Sequence, residues 1–216
     1  MPRASLTSLQ MRTPTDIAAM AIVAQANLAQ LQTAATKRSL LESSVITPPG
    51  AVTQHREAMI DWRLIKAYAD DALLLRMREV WGQWCLFCWM FGCDDPLRPP
   101  AFATLTTDDA VRCPTHVGEK LIEIKKSLWR LRHEDRLRNE PQLSEDAGFQ
   151  EEHRAALEMP MLVYGQNIRV CSNADLLACT CEYAGMLAAI RWIADDRWQW
   201  NQPGIMELDA TPDGAS

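Results

Sequence analysis

The stretch from Ile17 to Thr36 constrains the fold most, because it holds no charged side chain. Small apolar residues recur along it at alternating steps of four and three, which predicts a helix with a narrow apolar seam. Thr13 and Pro14 precede it as an N-cap and a first helical residue. The interspersed Gln and Asn side chains make the stretch too polar to span a bilayer. The seam comprises Ile17, Ala21, Ala24, Leu28, Leu31 and Ala35.

A helix without charge on its outer faces is expected to be covered on more than one side, and a second subunit could supply the cover. The alternative is that it forms the centre of a monomeric bundle. The chain also holds eight Trp residues, a residue type that suits both cores and interfaces. The candidate interface residues are Ile17, Ala21, Ala24, Leu28, Leu31, Trp198 and Trp200.

Apolar periodicity and capping signals predict further helices. A long one runs from about residue 52 to Phe91, and Gly92 ends it in a left-handed cap. At about 60 Å this helix either kinks or belongs to an elongated molecule. The remaining helices are predicted from between Thr106 and Pro114 to about Asn139, over 145–158, and from the capping sequence that starts at Ser172.

The segment from Met161 to Val170 is the one place where strand is predicted. Its two β-rich runs flank Gly165-Gln166-Asn167, which favours a small hairpin or an extended loop. We therefore predict a mainly α fold, an elongated bundle of four to five helices with one short β element near 161–170. The domain boundaries are an N-terminal arm over 1–12, a helical domain over 13–197 and a C-terminal tail over 198–216. We find no internal repeat.

Charge and cysteine content indicate the compartment. The net charge is −6, so no general attraction to nucleic acid or to an anionic membrane is expected. The seven Cys residues are an odd number, and no secretory signal precedes them, which favours reduced thiols. We expect a soluble protein of the cytoplasm, or of a particle assembled there.

Four residues form a candidate zinc site. Cys85 and Cys88 share one helix face, and Cys113 and His116 have the same spacing near the start of the next helix. If the two helices pack antiparallel, these four side chains meet as a tetrahedral ligand set for one structural zinc ion. The alternative is that the thiols are buried as small apolar residues, since Trp and Phe surround Cys85 and Cys88.

Signals for catalysis and for nucleic-acid binding are weak. The chain has no phosphate-binding glycine loop, no Glu-x-x-His pair and no Gly-x-Ser-x-Gly elbow. We therefore expect no catalytic residues and no enzyme. A basic strip that includes Lys125, Lys126 and Arg130 could contact phosphates, but five interleaved acids favour a solvated face.

The function predicted from these features is that of a non-enzymatic helical assembly protein. It would self-associate or dock in a larger complex, for example as a head, neck or tail component of a virion. The alternative is a zinc-stabilised regulatory or adaptor protein, with possible nucleic-acid contact through the helix at 119–139. The expected partner is protein, either as a homo-oligomer or in a multi-protein assembly, and not a membrane.

Overall fold

The computed structural model describes residues 11–40, 62–106, 108–140 and 147–194. These residues form a mainly helical fold with one small antiparallel hairpin, which confirms the predicted fold class. Residues 1–10 of the predicted arm over 1–12 and the tail with Trp198 and Trp200 lie outside the described residues. The helices are α1 (Pro14–Lys37), α2 (Trp62–Ala67), α3 (Asp70–Met90), α4 (Pro114–Asn139), α5 (Ala147–Leu157) and α6 (Asn173–Ala194), and the strands are β1 (Leu162–Val163) and β2 (Gln166–Asn167).

Helix α1 begins and packs as its sequence predicts. The Thr13 hydroxyl accepts a hydrogen bond from the backbone amide of Asp16 at 3.1 Å, and Pro14 occupies the first turn. The helix is buried on several faces within the single chain, including the polar residues Gln25, Asn27 and Gln32. This burial favours the central-helix alternative over cover by a second subunit. The five seam residues proposed for an interface, Ile17, Ala21, Ala24, Leu28 and Leu31, are each at most 1 % exposed.

The prediction of one continuous helix up to Phe91 is wrong within the described residues. The chain breaks between α2 and α3, where the backbone of Ala69 is extended (φ −62°, ψ 157°). The guanidinium of Arg38 stabilises the break from outside, because it donates to the backbone oxygens of Ile65, Lys66 and Tyr68. These are carbonyls that a continuous helix would bond internally.

Helices α3 and α6 are the central pair and run in the same direction. Arg78 pairs with Glu182 near their middles, and Phe87 packs edge-on against Trp192 near their C-terminal ends. They touch backbone to backbone at two glycines. A Cβ at Gly82 would lie 1.9 Å from the Glu182 carbonyl oxygen, and a Cβ at Gly185 would lie 1.9 Å from that of Glu79. The contact is therefore reciprocal.

Two arginines, 100 positions apart, also make corresponding contacts. Besides its bond to Lys66 O, the Arg38 guanidinium donates to two carbonyls ahead of α3 and to the first side chain of α3, and the Arg138 guanidinium makes the corresponding three bonds at α6. The acceptors of Arg38 are Ile65 O, Tyr68 O and Asp70 Oδ1, and those of Arg138 are Ile168 O, Cys171 O and Asn173 Oδ1.

A second pair of arginines connects the start of one long helix to the end of another. Arg12 precedes α1, and its Nε donates to the Trp192 carbonyl at 2.8 Å while its guanidinium lies over the Trp192 ring. Arg112 precedes α4 and repeats both contacts on Trp89, with the Nε bond at 2.7 Å. The described parts of residues 11–90 and 111–194 thus form two halves that repeat the same contacts, and the expectation of no internal repeat does not hold for these contacts.

The second half carries the hairpin and α5 between its two long helices. The hairpin turn lies at Tyr164 and Gly165, whose φ angles of 49° and 82° suit a tight two-residue connection. The turn therefore begins one residue earlier than predicted. Helix α4 departs further from expectation, because Arg130, His133 and Glu134 on its charged face are buried and not solvated.

Candidate polypeptide-binding cleft

A cleft of about 550 Å³ opens between α1, α3 and the N-terminal end of α6. Its walls are mostly leucine, methionine and tryptophan, with a few polar groups at the margin. This volume is in the range of sites that hold ligands or inserted side chains. The lining residues are Leu28, Gln32, Leu40, Asp71, Leu74, Leu75, Met77, Arg78, Trp81, Ala174, Asp175, Leu177 and Ala178.

The glycine crossing explains why the cleft lies where it does. The backbones of α3 and α6 are closest at Gly82 and Gly185. Leu74 and Leu177, about two turns toward the N-termini, line the gap between the helices instead of closing it. Leu177 keeps 49 % of its surface exposed, although it follows the buried Leu176 directly. An exposed leucine beside an apolar cleft is typical of a protein contact.

The β-hairpin fixes one side of the cleft through a half-buried ion pair. Arg78 lines the cleft and pairs with Glu182 at 3.0 Å, and the Tyr164 hydroxyl donates to the same carboxylate at 2.8 Å. Burial raises the pKa of Glu182, while Tyr164 and Arg78 oppose that rise. Burial and the nearby Glu182 charge also raise the pKa of Tyr164. The three side chains hold the hairpin tip against α3.

Acidic side chains lie at the N-terminal margin of the cleft. Asp71 is exposed in the first turn of α3, and it forms no ion pair with any described residue. Asp175 instead caps α6 together with Ser172, whose hydroxyl donates to its carboxylate at 2.7 Å. The margin therefore presents an acid near one end of α3's cleft-facing surface and Arg78 near the other.

The sequence contains a signal for this cleft that was not used in predicting sites. Helix α3 begins with the run Leu73 to Leu75, and α6 begins with Leu176 and Leu177. Because neighbouring residues on a helix point in different directions, one stripe cannot bury such a run completely. Leu73 and Leu176 are the buried members, and the others line the cleft.

The structure brings together only part of the predicted zinc set. The Arg112 backbone amide bonds to the Met90 carbonyl, so the start of α4 does lie beside the end of α3. The Cys113 sulfur lies 3.5 Å from His116 Nδ1. Over residues 11–40, 62–106, 108–140 and 147–194, no three His, Cys, Asp or Glu side chains are arranged to hold a metal ion. Zinc binding remains a prediction.

Of the predicted thiols, Cys88 is buried and Cys85 is half-buried, whereas Cys113 is exposed. Cys88 is fully buried, and burial raises its pKa, with the neighbouring Cys93 and Cys85 as lesser causes. Burial and the charge of Glu182 raise the pKa of Cys85 to about 12. All seven cysteines are free thiols. These features are those of the buried-thiol alternative.

The basic strip proposed for nucleic acid is divided by burial. Lys125 and Lys126 are exposed, but Arg130 is only 3 % exposed and pairs with the buried Glu134 at 3.2 Å. Arg130 is therefore not accessible to a phosphate.

A pair of histidines, the buried His133 and the half-buried His153, lies where α5 packs on α4. His133 is 2 % exposed, and its Nε2 is hydrogen-bonded to His153 Nδ1 at 3.1 Å. The His133 ring stacks on Phe149 of α5 and on Trp129 of its own helix. Among the described residues its Nδ1 has no hydrogen-bond partner, and it lies 4.0 Å from the Glu152 carboxylate. Burial, followed by His153 and Arg130, lowers the pKa of His133.

Comparison of the chain with protein-family models, curated proteins and solved structures found no match. Within the described part of the chain, α6 is the one helix long and apolar enough to cross a membrane. Half of its most apolar window is buried inside the structure, and core helices meet the same criterion.

Proposed function

We propose that this chain is a non-enzymatic assembly protein that self-associates through the cleft between α1, α3 and α6. The observation that carries the proposal is the apolar lining of that cleft together with the exposed Leu177 at its margin. Apolar clefts of this kind are common sites of ligand or protein contact. A role as a head, neck or tail component of a virion is one setting in which such an association would serve.

The proposal moves the contact away from the residues that the sequence favoured. The residues of the α1 seam are buried in the chain's own core, so the partner must contact a surface that remains accessible. Leu28 is common to the seam and the cleft, because it belongs to the seam and also lines the inner wall of the cleft.

The test is a concentration series by light scattering coupled to size exclusion, with matched leucine variants. Leu177→Asp places a charge in the cleft, and Leu157→Asp places one on α5, where the leucine is 45 % exposed compared with 49 % at position 177. We expect the wild-type mass to rise above that of a monomer with concentration. Leu177→Asp should remain monomeric, and Leu157→Asp should behave as the wild type. A wild-type protein that stays monomeric up to several hundred micromolar would overturn the proposal.

A further inference from the structure

Helix α4 presents an exposed surface of mixed character away from the core. Ile122 keeps 46 % of its surface exposed, which is high for a large apolar residue on a long helix. Glu119 precedes it by one turn, and Lys126 follows it by one turn beside Lys125. All three charged residues are exposed, and none forms an ion pair within the described parts of the chain. We call Glu119, Ile122, Lys125 and Lys126 the α4 face.

The cleft wall formed by α3 carries the same three kinds of side chain in the same order along the chain. Asp71 is followed three residues later by Leu74 and four residues after that by Arg78. On the α4 face, Glu119 is followed three residues later by Ile122 and four residues after that by Lys126. Each set spans seven residues and therefore about 10 Å of helix.

An antiparallel alignment brings each group opposite its complement. With Ile122 placed over Leu74, Lys126 faces Asp71 and Glu119 faces Arg78. The spacings of three and four residues are exchanged between the helices, so the charged groups are out of register by only about 1.5 Å. Flexible Lys, Glu and Arg side chains accommodate such an offset, and complementary charges at a margin fix the direction of docking.

We propose that the α4 face of one copy docks antiparallel on the α3 wall of the cleft of a second copy. This inference rests on the proposed function and identifies the surface that enters the cleft. Ile122 would extend into the leucine-lined space, while the Lys126–Asp71 and Glu119–Arg78 pairs form at its edges. Arg78 is 43 % exposed in its pair with Glu182, so it can accept a second carboxylate.

Such a contact joins two different surfaces of the same chain. Each copy would offer one cleft and one α4 face, so the contact is head-to-tail and repeats until a ring closes or a filament grows. A contact of this kind differs from a symmetric dimer, in which one surface meets itself. The difference can be measured by blocking one surface at a time.

The experiment mixes two full-length variants, each blocked on one side. Leu177→Asp blocks the cleft, and Lys125→Glu with Lys126→Glu reverses the charge of the α4 face. Lys125→Arg with Lys126→Arg is the control, because it keeps the charge at the same positions. We expect each blocked variant alone to lose self-association by at least tenfold, and the control to keep it. Mixed in equal amounts, the two blocked variants should form a 1:1 dimer and nothing larger.

The outcomes separate this inference from the proposed function. If Leu177→Asp is monomeric while the Lys-to-Glu variant assembles like the wild type, the cleft binds a different surface and the inference falls alone. A wild-type protein without self-association overturns both proposals. A mixture that yields no dimer overturns head-to-tail docking. Restored assembly on adding Asp71→Lys to the Lys-to-Glu variant would identify the charge pair directly.

Discussion

The two halves of the molecule, residues 11–90 and 111–194, share a framework and differ in their surfaces. Both have an arginine before the first long helix that bonds to the other half (Arg12 or Arg112), and an arginine that donates to carbonyls ahead of the second long helix (Arg38 or Arg138, the arginine clamps). Both also have a glycine where the second helices cross. The first half contributes Gln32, Met77 and Trp81 to the cleft, where the second half has Arg132, Thr180 and Ala184 at the corresponding positions. The repeated contacts hold the fold, and the differing positions are where a function can be placed.

The largest test of this comparison is a methyl group at either crossing glycine. Gly82→Ala and Gly185→Ala each put a Cβ within 1.9 Å of a backbone oxygen, so the helices must move apart. We expect each variant to lose about 3 kcal/mol of unfolding free energy, measured by denaturant titration. Gly92→Ala is the contrast, with no heavy atom within 4 Å but a φ of 74°, and should cost about 1 kcal/mol. Unequal losses at the two crossing glycines would break the proposed symmetry.

Removing either arginine clamp should lower the unfolding free energy, and the loss should be larger for the clamp of the second half. Arg38→Met and Arg138→Met both leave carbonyls without their donor, and bonds of this charged type contribute about 1.5–3 kcal/mol. We expect a loss of about 2 kcal/mol for Arg38. The loss should be about 3 kcal/mol for Arg138, because it also pairs with the buried Glu134. Equal stability of Arg138→Met and wild type in chemical denaturation would show that the clamp is not structural.

A smaller, pH-dependent effect should belong to the second half alone. The neutral imidazole of His133 is favoured in the folded chain, because burial lowers its pKa from the usual 6.5. As the pH falls, His133 therefore takes up a proton at a higher pH in the unfolded chain than in the folded chain. Its contribution to the unfolding free energy is complete above pH 6.5 and is lost as the pH drops from 6.5 toward the folded pKa. His153, Arg130, Arg136 and Glu152 surround the ring and set the extent of this loss.

The matched measurement is unfolding free energy against pH for three proteins. His133→Phe keeps the stack with Phe149 and Trp129 but removes the titrating group. This variant should show a flatter stability profile below pH 6.5. His116→Gln, outside the cluster, should retain the wild-type slope. A slope unchanged in His133→Phe would assign the pH dependence to other groups.

Local signals in the sequence were sufficient to predict much of this fold. The caps at Thr13 and Ser172 and the end of α3 at Gly92 depend on a few adjacent residues, and the structure confirms them. The break at Ala69 depends on Arg38, some thirty positions earlier, and no local pattern announces it. Burial of His133 likewise requires α5, because His133 is covered by Phe149 and His153, which lie 16 and 20 positions later in the chain.

The repeat and the cleft were missed for a related reason. The halves keep few identical residues, and their offset changes from 100 at Arg38 and Arg138 to 103 at Gly82 and Gly185. The repeated hydrogen bonds make the relation visible in the structure. The cleft requires knowing which of several adjacent leucines faces the core, and that depends on how α3 and α6 cross.

Amide hydrogen exchange at low and high protein concentration tests the central claim most directly, because it locates the surface that associates. The account predicts that exchange slows with concentration in segments 71–81 and 174–178 of the cleft and 119–129 of α4. It also predicts no change over 147–157 on α5. Exchange that is independent of concentration, or that slows on α5 and not in the cleft, would contradict self-association through this cleft.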